Sequence, residues 1–262
     1  MEIAGYIASI CIGLVLGILG GGGSILSIPI LVYLFHIDAV LASAYSLFIV
    51  GFTSLVGSVP KYKEHLVNIK TGILFGIPSI LTIFVTRKWI VPIIPDILWQ
   101  TDSFVFTKRF LILGLFAVLM ILASISMIRG RKEIHNDNHR FRVVWVSIEG
   151  ILIGLLTGIV GAGGGFLIIP ALVLLTGLPF KTAVGTSLFI IAVNSLSGFL
   201  GDIFNYPIDW IFLLPITTLA VFGVIMGNAL SKKIHGDKLR VCFGLFVLIT
   251  GIWILVKELL HL

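Results

Sequence analysis

Gly13-Leu14-Val15-Leu16-Gly17-Ile18-Leu19-Gly20-Gly21-Gly22-Gly23-Ser24 is followed, 141 residues later, by Gly154-Leu155-Leu156-Thr157-Gly158-Ile159-Val160-Gly161-Ala162-Gly163-Gly164-Gly165. Five residues on, each run reaches a proline, Pro29 and Pro170. The register holds without a gap from Gly13/Gly154 to Gly57/Gly198, and 21 of the 45 aligned positions are identical. Among the identities are Ala42/Ala183, Ser46-Leu47-Phe48/Ser187-Leu188-Phe189 and Ser54-Leu55/Ser195-Leu196. Two apolar halves interrupted by glycine at matching positions point to a membrane protein with a binding site where the repeats meet.

Composition supports a bilayer as the solvent. The chain has 262 residues, 58% hydrophobic and 11% charged, and its mean hydropathy is +1.16. Soluble domains carry about 25% charged residues. Stretches 41–59, 69–85, 110–128, 183–200, 210–230 and 241–256 approach or reach the length of about 18 residues expected of a spanning helix. The net charge of +6 comes from basic residues in short loops, where they act as orientation signals. It points to lipid headgroups and not to nucleic acid. Cys11 and Cys242 sit inside apolar runs and read as small buried hydrophobes. The N-terminal stretch has no basic region ahead of its apolar run and reads as the first membrane segment.

The first apolar stretch, 3–35, is too long for one span and too short for two. Its four consecutive glycines each cost about 1 kcal/mol in a helix interior. They predict a helix, a glycine turn and a short second helix. Stretch 143–175 repeats the plan, and three longer helices follow in each half. If each broken segment crossed once, a 4+4 arrangement would put Lys232, Lys233, Lys238 and Arg240 outside. If each goes in and returns, the arrangement is 5+5 and the halves are inverted. Those basic residues and the linker 129–142, with its five Lys and Arg, then lie inside. We therefore expect an all-α polytopic membrane protein of two inverted repeats, 1–128 and 143–262. A basic cytoplasmic linker, 129–142, joins them, and both termini lie outside. Arg87, Lys88, Lys108 and Arg109 break the charge rule; they flank an outer stretch, 89–106, read as anchored at the interface by Trp89 and Trp99. His135 and His139 belong to the linker and read as solvated.

The spans hold no Ser/His/Asp set, no paired carboxylates and no Cys/His cluster, so no catalytic residue, metal or cofactor is expected. An ionisable residue inside the membrane would mark a proton or cation path; its absence from the helix centres predicts a neutral, hydrogen-bonding site. The candidates form a doubled set. Ser46 matches Ser187 and Thr53 matches Asn194; within each half the spacing is seven residues, two helical turns on one face. Such residues also serve helix packing. The glycine breaks have a sharper rationale. The helices that begin after them expose unpaired N–H groups and a positive dipole end, and missing side chains let an anion approach. Gly22, Gly23, Ser24, Ser46 and Thr53, with Gly163, Gly164, Gly165, Ser187 and Asn194, are the expected substrate-binding residues. Gly13/Gly17 and Gly154/Gly158 fit close helix packing.

At these residues the chain resembles the TauE/SafE family of sulfite exporters, also called toluenesulfonate uptake permeases. The resemblance rests on the run from Gly13 to Pro29, its repeat ending at Pro170, and the Ala-x-x-x-Ser-Leu-Phe run of each half (Ala42 to Phe48, Ala183 to Phe189). It implies a secondary transporter in a prokaryotic cell membrane for a small sulfur-containing anion: sulfite, a sulfonate, thiosulfate or similar. The two half-sites differ in one respect, since Ser24 stands where the second copy has Gly165. The competing reading is a non-transporting assembly or scaffold subunit that uses its glycine faces for packing. A scaffold gives no reason to break two helices at matching places.

Overall fold

The computed structural model describes residues 2–101, 104–129, 139–231 and 236–260. Most of the linker, with His135, and Lys232 and Lys233 lie outside them. Each half opens with a helical hairpin. Helix α1 (Glu2–Leu19) ends at Gly20, whose φ of +76° is left-handed and accessible to glycine at no steric cost. Helix α2 (Gly22–Pro29) and the π-helical turn Ile30–Leu34 run back along α1. Gly23 lies on Leu16 and Ile12, where an added Cβ would stand 2.6 Å from the Ile12 carbonyl oxygen, and Phe35 returns to Gly5. The broken segment therefore folds back on itself as a helical hairpin. In the second half, α7 (His139–Val160) ends at Gly161. Three left-handed glycines, Gly161, Gly163 and Gly164, turn the chain into α8 (Gly165–Thr176).

Longer helices follow in the same order in each half. The first half has α3 (Ala39–Lys63), α4 (Ile69–Val85) and α6 (Lys108–Arg129); the second has α9 (Phe180–Asp202), α10 (Trp210–Ser231) and α11 (Gly236–Leu260). Six of the described helices are long and apolar enough to cross a membrane. The halves exchange partners. Helix α1 packs on α10 of the other half, and α7 packs on α4. The seams are built on small residues: a Cβ at Gly17 would lie 2.5 Å from the Val224 carbonyl oxygen, and one at Gly154 2.7 Å from that of Ser79. This is the close backbone approach that small-xxx-small patterns allow. Equivalent helices meet head to tail. On α3, Leu47 lies by Gly198 of α9 and Gly57 by Leu188; on α6, Ile128 lies by Gly244 of α11 and Met120 by Gly251. Thus α3 is antiparallel to α9, and α6 to α11.

Local signals fix the helix starts. Asp38 accepts from Val40 N at 2.8 Å and caps α3. Asn68 accepts from Thr71 N and caps α4. Its repeat equivalent, Asp209, accepts from Ile211 N and Phe212 N and caps α10. Short polar side chains at this position satisfy N–H groups that the first helical turn leaves unpaired.

Beyond α4 the chain passes through a π-helical turn (Thr86–Ile90), the short α5 (Val91–Ile93) and a β-hairpin, β1 (Ile97–Thr101) against β2 (Phe104–Thr107). This hairpin is the one strand element among the described residues, and it is an addition to the all-α expectation. Its β-branched and aromatic residues suit a pleated surface. Trp89 and Trp99 on this stretch are both exposed. Helix α6, 22 residues and so about 33 Å long, separates the hairpin end of the molecule from the linker end. Large apolar side chains cover the outside, Ile211, Ile93, Ile249 and Leu81 among them, as a lipid-facing surface requires. Cys11 and Cys242 are exposed on that surface. This corrects the buried reading: apolar neighbours in sequence predict lipid contact as readily as burial.

Candidate functional site at the glycine breaks

The two breaks touch. A Cβ at Gly21 would lie 2.6 Å from the Gly165 carbonyl oxygen, and one at Gly165 would lie 2.8 Å from Gly21 Cα. Neither α2 nor α8 has a side-chain cap; their N-cap residues are Gly21 and Gly164. Two helix starts, each with unpaired N–H groups, therefore lie side by side between α3 and α9.

The predicted side chains divide into two groups. Ser24, Ser46, Thr53, Ser187 and Asn194 are all fully buried. Most of their donors are engaged within the protein. Ser24 Oγ donates to the Gly21 carbonyl oxygen at 2.7 Å. Ser46 Oγ shares a 2.5 Å hydrogen bond with Ser27 Oγ. Thr53 Oγ1 donates to the Ile49 carbonyl oxygen at 2.6 Å, and Ser187 Oγ to that of Val184 at 2.8 Å. A hydroxyl has one proton to give, so Thr53 and Ser187 offer acceptors to anything nearby. Asn194 Nδ2 donates to Ser79 Oγ at 2.6 Å, and its Oδ1 has no hydrogen-bond partner. Among the glycines, Gly23 and Gly164 pack against their own hairpins, on Leu16 and Thr157, while Gly165 meets Ile191 and Gly21. Gly163 is different: a Cβ there would strike Ser195 Oγ. Gly22 is the first residue of α2.

Ser195 and its repeat equivalent Ser54 are hydroxyls outside the expected site set. Both are fully buried and neither has a hydrogen-bond partner. A buried hydroxyl left unpaired costs about 1–3 kcal/mol. The available signal was identity: Ser54/Ser195 is an exact repeat match, whereas Thr53/Asn194 is not.

The larger omission is a charge. Arg87 and Asp202 are fully buried, with Arg87 Nη1 3.2 Å from Asp202 Oδ2. Arg87 Nη1 also donates to Ser43 Oγ at 2.9 Å. The π turn carries Arg87 inward, and its Nη2 is the atom a Cβ at Gly161 would strike. Nε, Nη2 and both Asp202 carboxylate oxygens lack a hydrogen bond. By distance Arg87 and Asp202 form an ion pair; by direction it is a poorly aligned one. This corrects two expectations. Arg87 is buried and not part of a surface flank of the outer stretch, and the region of the breaks is not free of charge. Asp202 is the last residue of α9. Just beyond it, burial and then the Asp202 carboxylate push the Tyr206 phenol above its ordinary pKa. The signal in the sequence was the misfit itself: a basic residue on the wrong side of the charge rule is a candidate for burial.

A second charged cluster stands at the hairpin end. Glu258 of α11 accepts from Tyr33 Oη at 2.7 Å and pairs with Arg109 of α6 at 3.2 Å. Lys257 Nζ lies 3.8 Å from the Tyr33 ring centroid. With His36 and Asp38 these groups line a cavity of about 700 Å³.

Touching helix breaks with a buried arginine, inside a bundle of membrane-length helices, define a polytopic membrane protein of transporter type. The sulfite exporter TauE/SafE family matches residues 6–254, and the chain belongs to it. Relatives carry the same general description. A probable membrane transporter protein of Xylella fastidiosa is 28% identical, over 93% of this chain and 91% of its own length. The probable membrane transporter protein YunE of Bacillus subtilis is 25% identical, over 94% and 96%. One from Methanocaldococcus jannaschii is 26% identical, over 94% of both chains. No solved structure matches the chain.

Proposed function

We propose that the protein is a secondary transporter of a small sulfur-containing anion (sulfite, a sulfonate, thiosulfate or a similar species) in the cytoplasmic membrane of a prokaryote. One repeat, 1–128, rocks against the other, 143–262, about the touching glycine breaks, and the basic linker 129–142 lies in the cytoplasm. The observation that carries this reading is the meeting of the two breaks beside Arg87. Helix N-termini and a buried guanidinium favour negative charge, and both are strongest where water is excluded. The antiparallel pairing of α3 with α9 and of α6 with α11 supports inverted halves: helices that span in opposite senses belong to repeats of opposite topology. The family's description supports the sulfur oxyanion. Gly22, Gly163, Ser54, Ser195 and Arg87 are the groups best placed to meet it, with Asn194 behind them.

The test is flux into proteoliposomes. Sulfite, methanesulfonate and thiosulfate are offered in turn, with and without a pH gradient. At least one should accumulate in a protein-dependent, saturable way, and Arg87→Gln should abolish it while leaving the protein inserted. If none moves through wild-type protein, the scaffold reading stands in its place.

A further inference from the structure

Arg87 divides its donors between two directions. Nη1 points toward Asp202 and Ser43. Nη2 points to the Gly161 break, and it and Nε have no hydrogen-bond partner. A guanidinium binds a carboxylate and a tetrahedral oxyanion through the same fork of N–H groups. Asp202 uses that fork badly: it comes within ion-pair distance, yet neither oxygen accepts a hydrogen bond. Removing two charges from water is repaid only by good geometry and further hydrogen bonds. Here both ions are fully buried and those bonds are missing. A buried pair in this state is poised for exchange.

We infer that Asp202 is a tethered competitor for the substrate at Arg87, and that the anion takes its place as Asp202 accepts a proton. This rests on the transport reading. Arg87 keeps one negative partner throughout. A monoanion arrives, one proton from solvent binds an Asp202 oxygen, and the buried charge is unchanged. No covalent bond other than that O–H forms or breaks. Transport is then linked to one proton for each monoanion. The other ionisable groups near the pair are Lys88 on the same π turn, Tyr206 after α9, Asp38 before α3, and Asp96 and Lys108 beside the hairpin. From α3 the pair is faced by Ser43 and from α7 by the Gly161 backbone, neither of which titrates.

The experiment measures anion affinity of the detergent-solubilised full chain across a pH series. Methanesulfonate is the probe for the slope because it stays a monoanion over that range; thiosulfate, a dianion throughout, reports binding alone, and sulfite is added with Asp202→Asn as the control for its own titration. Wild-type affinity should rise as pH falls, by up to about tenfold per pH unit for one linked proton. Asp202→Asn should bind as tightly as wild type does at low pH, with a flat profile. A variant that keeps the slope, or that loses affinity at low pH, overturns the inference. Should Asp202→Asn not fold, proton uptake by wild type decides the matter: alkalinisation of a weakly buffered sample on adding methanesulfonate supports it, and its absence overturns it. If wild-type protein binds and moves none of the three anions, the transport reading falls and the inference with it. If it binds them with a flat pH profile, only the coupling falls.

Discussion

The two glycine breaks start alike in backbone and differ in charge. Each ends a helix at a left-handed glycine, and each faces the end of a helix from the other half. At the second break that helix is α4, which brings Arg87, with Asp202 from the end of α9. At the first break it is α10. Asn228, the equivalent of Arg87 at the 141-residue offset, donates from Nδ2 to the Gly57 carbonyl oxygen at 3.2 Å. Lys61, the equivalent of Asp202, donates from Nζ to Ser231 Oγ at 3.0 Å. The frame is matched and the charge is not: an Arg–Asp pair stands at the second break, a buried lysine and an asparagine at the first.

The strongest way to break this comparison is to neutralise the Arg–Asp side. Arg87→Ala leaves Asp202 buried and unpaired, which should cost about 3–5 kcal/mol and abolish transport. Asn228→Ala should cost about 1 kcal/mol, with transport reduced but present. Thermal unfolding in detergent and proteoliposome flux measure both. The double variant Arg87→Met/Asp202→Leu should recover most of the stability and none of the transport. Equal damage from the two single changes would make the breaks equivalent.

The packing seams come next. Gly17→Ala and Gly154→Ala force a Cβ onto the backbone of the facing helix and should destabilise by about 1–3 kcal/mol each, as overpacked sites do. Gly76→Ala is the control. Nothing lies within 4 Å of its added Cβ, so it should stabilise by up to about 1 kcal/mol through helix propensity. Unfolding midpoints separate the two outcomes.

The hydroxyls give the smallest effects and the sharpest contrast. Ser195→Ala removes an unpartnered buried group, so stability should hold or rise while anion affinity falls by about 0.5–1.5 kcal/mol. Thr53→Ala and Ser187→Ala remove hydroxyls bonded to their own helices and should change affinity by less than about 0.5 kcal/mol. Titration of the purified protein with the transported anion orders them. If Ser187→Ala proves worse than Ser195→Ala, the original matched pair of Ser46 and Ser187 regains its place in the site.

Much of this was readable because it is periodic. A doubled glycine run, a 141-residue offset and long apolar stretches identify the segments, the hairpins and the family from sequence. Gly13, Gly17, Gly154 and Gly158 read as packing positions and pack. The Arg87–Asp202 pair was not readable, because nothing local joins a residue after α4 to the last residue of α9. Arg87 was assigned to a surface stretch by the charge rule, which counts residues in loops and does not see a π turn directing one inward. The lack of partners at Ser54 and Ser195 was hidden for a related reason: spacing tells which residues share a helix face, but not which hydroxyls already bond to their own helix. The β-hairpin escaped because its few alternating residues sit amid a strongly apolar chain.

The exchange of partners between halves bears on how the protein is made. As the chain leaves the ribosome, α1 and α4 enter the membrane before α10 and α7 exist. The glycine seam of α1 and the Ser79 and Thr86 face of α4 must wait for the second half before they can close. Each half leaves a seam that only the other half covers. The two fragments made separately should be held as incomplete, degradable intermediates, and made together they should find each other and restore flux.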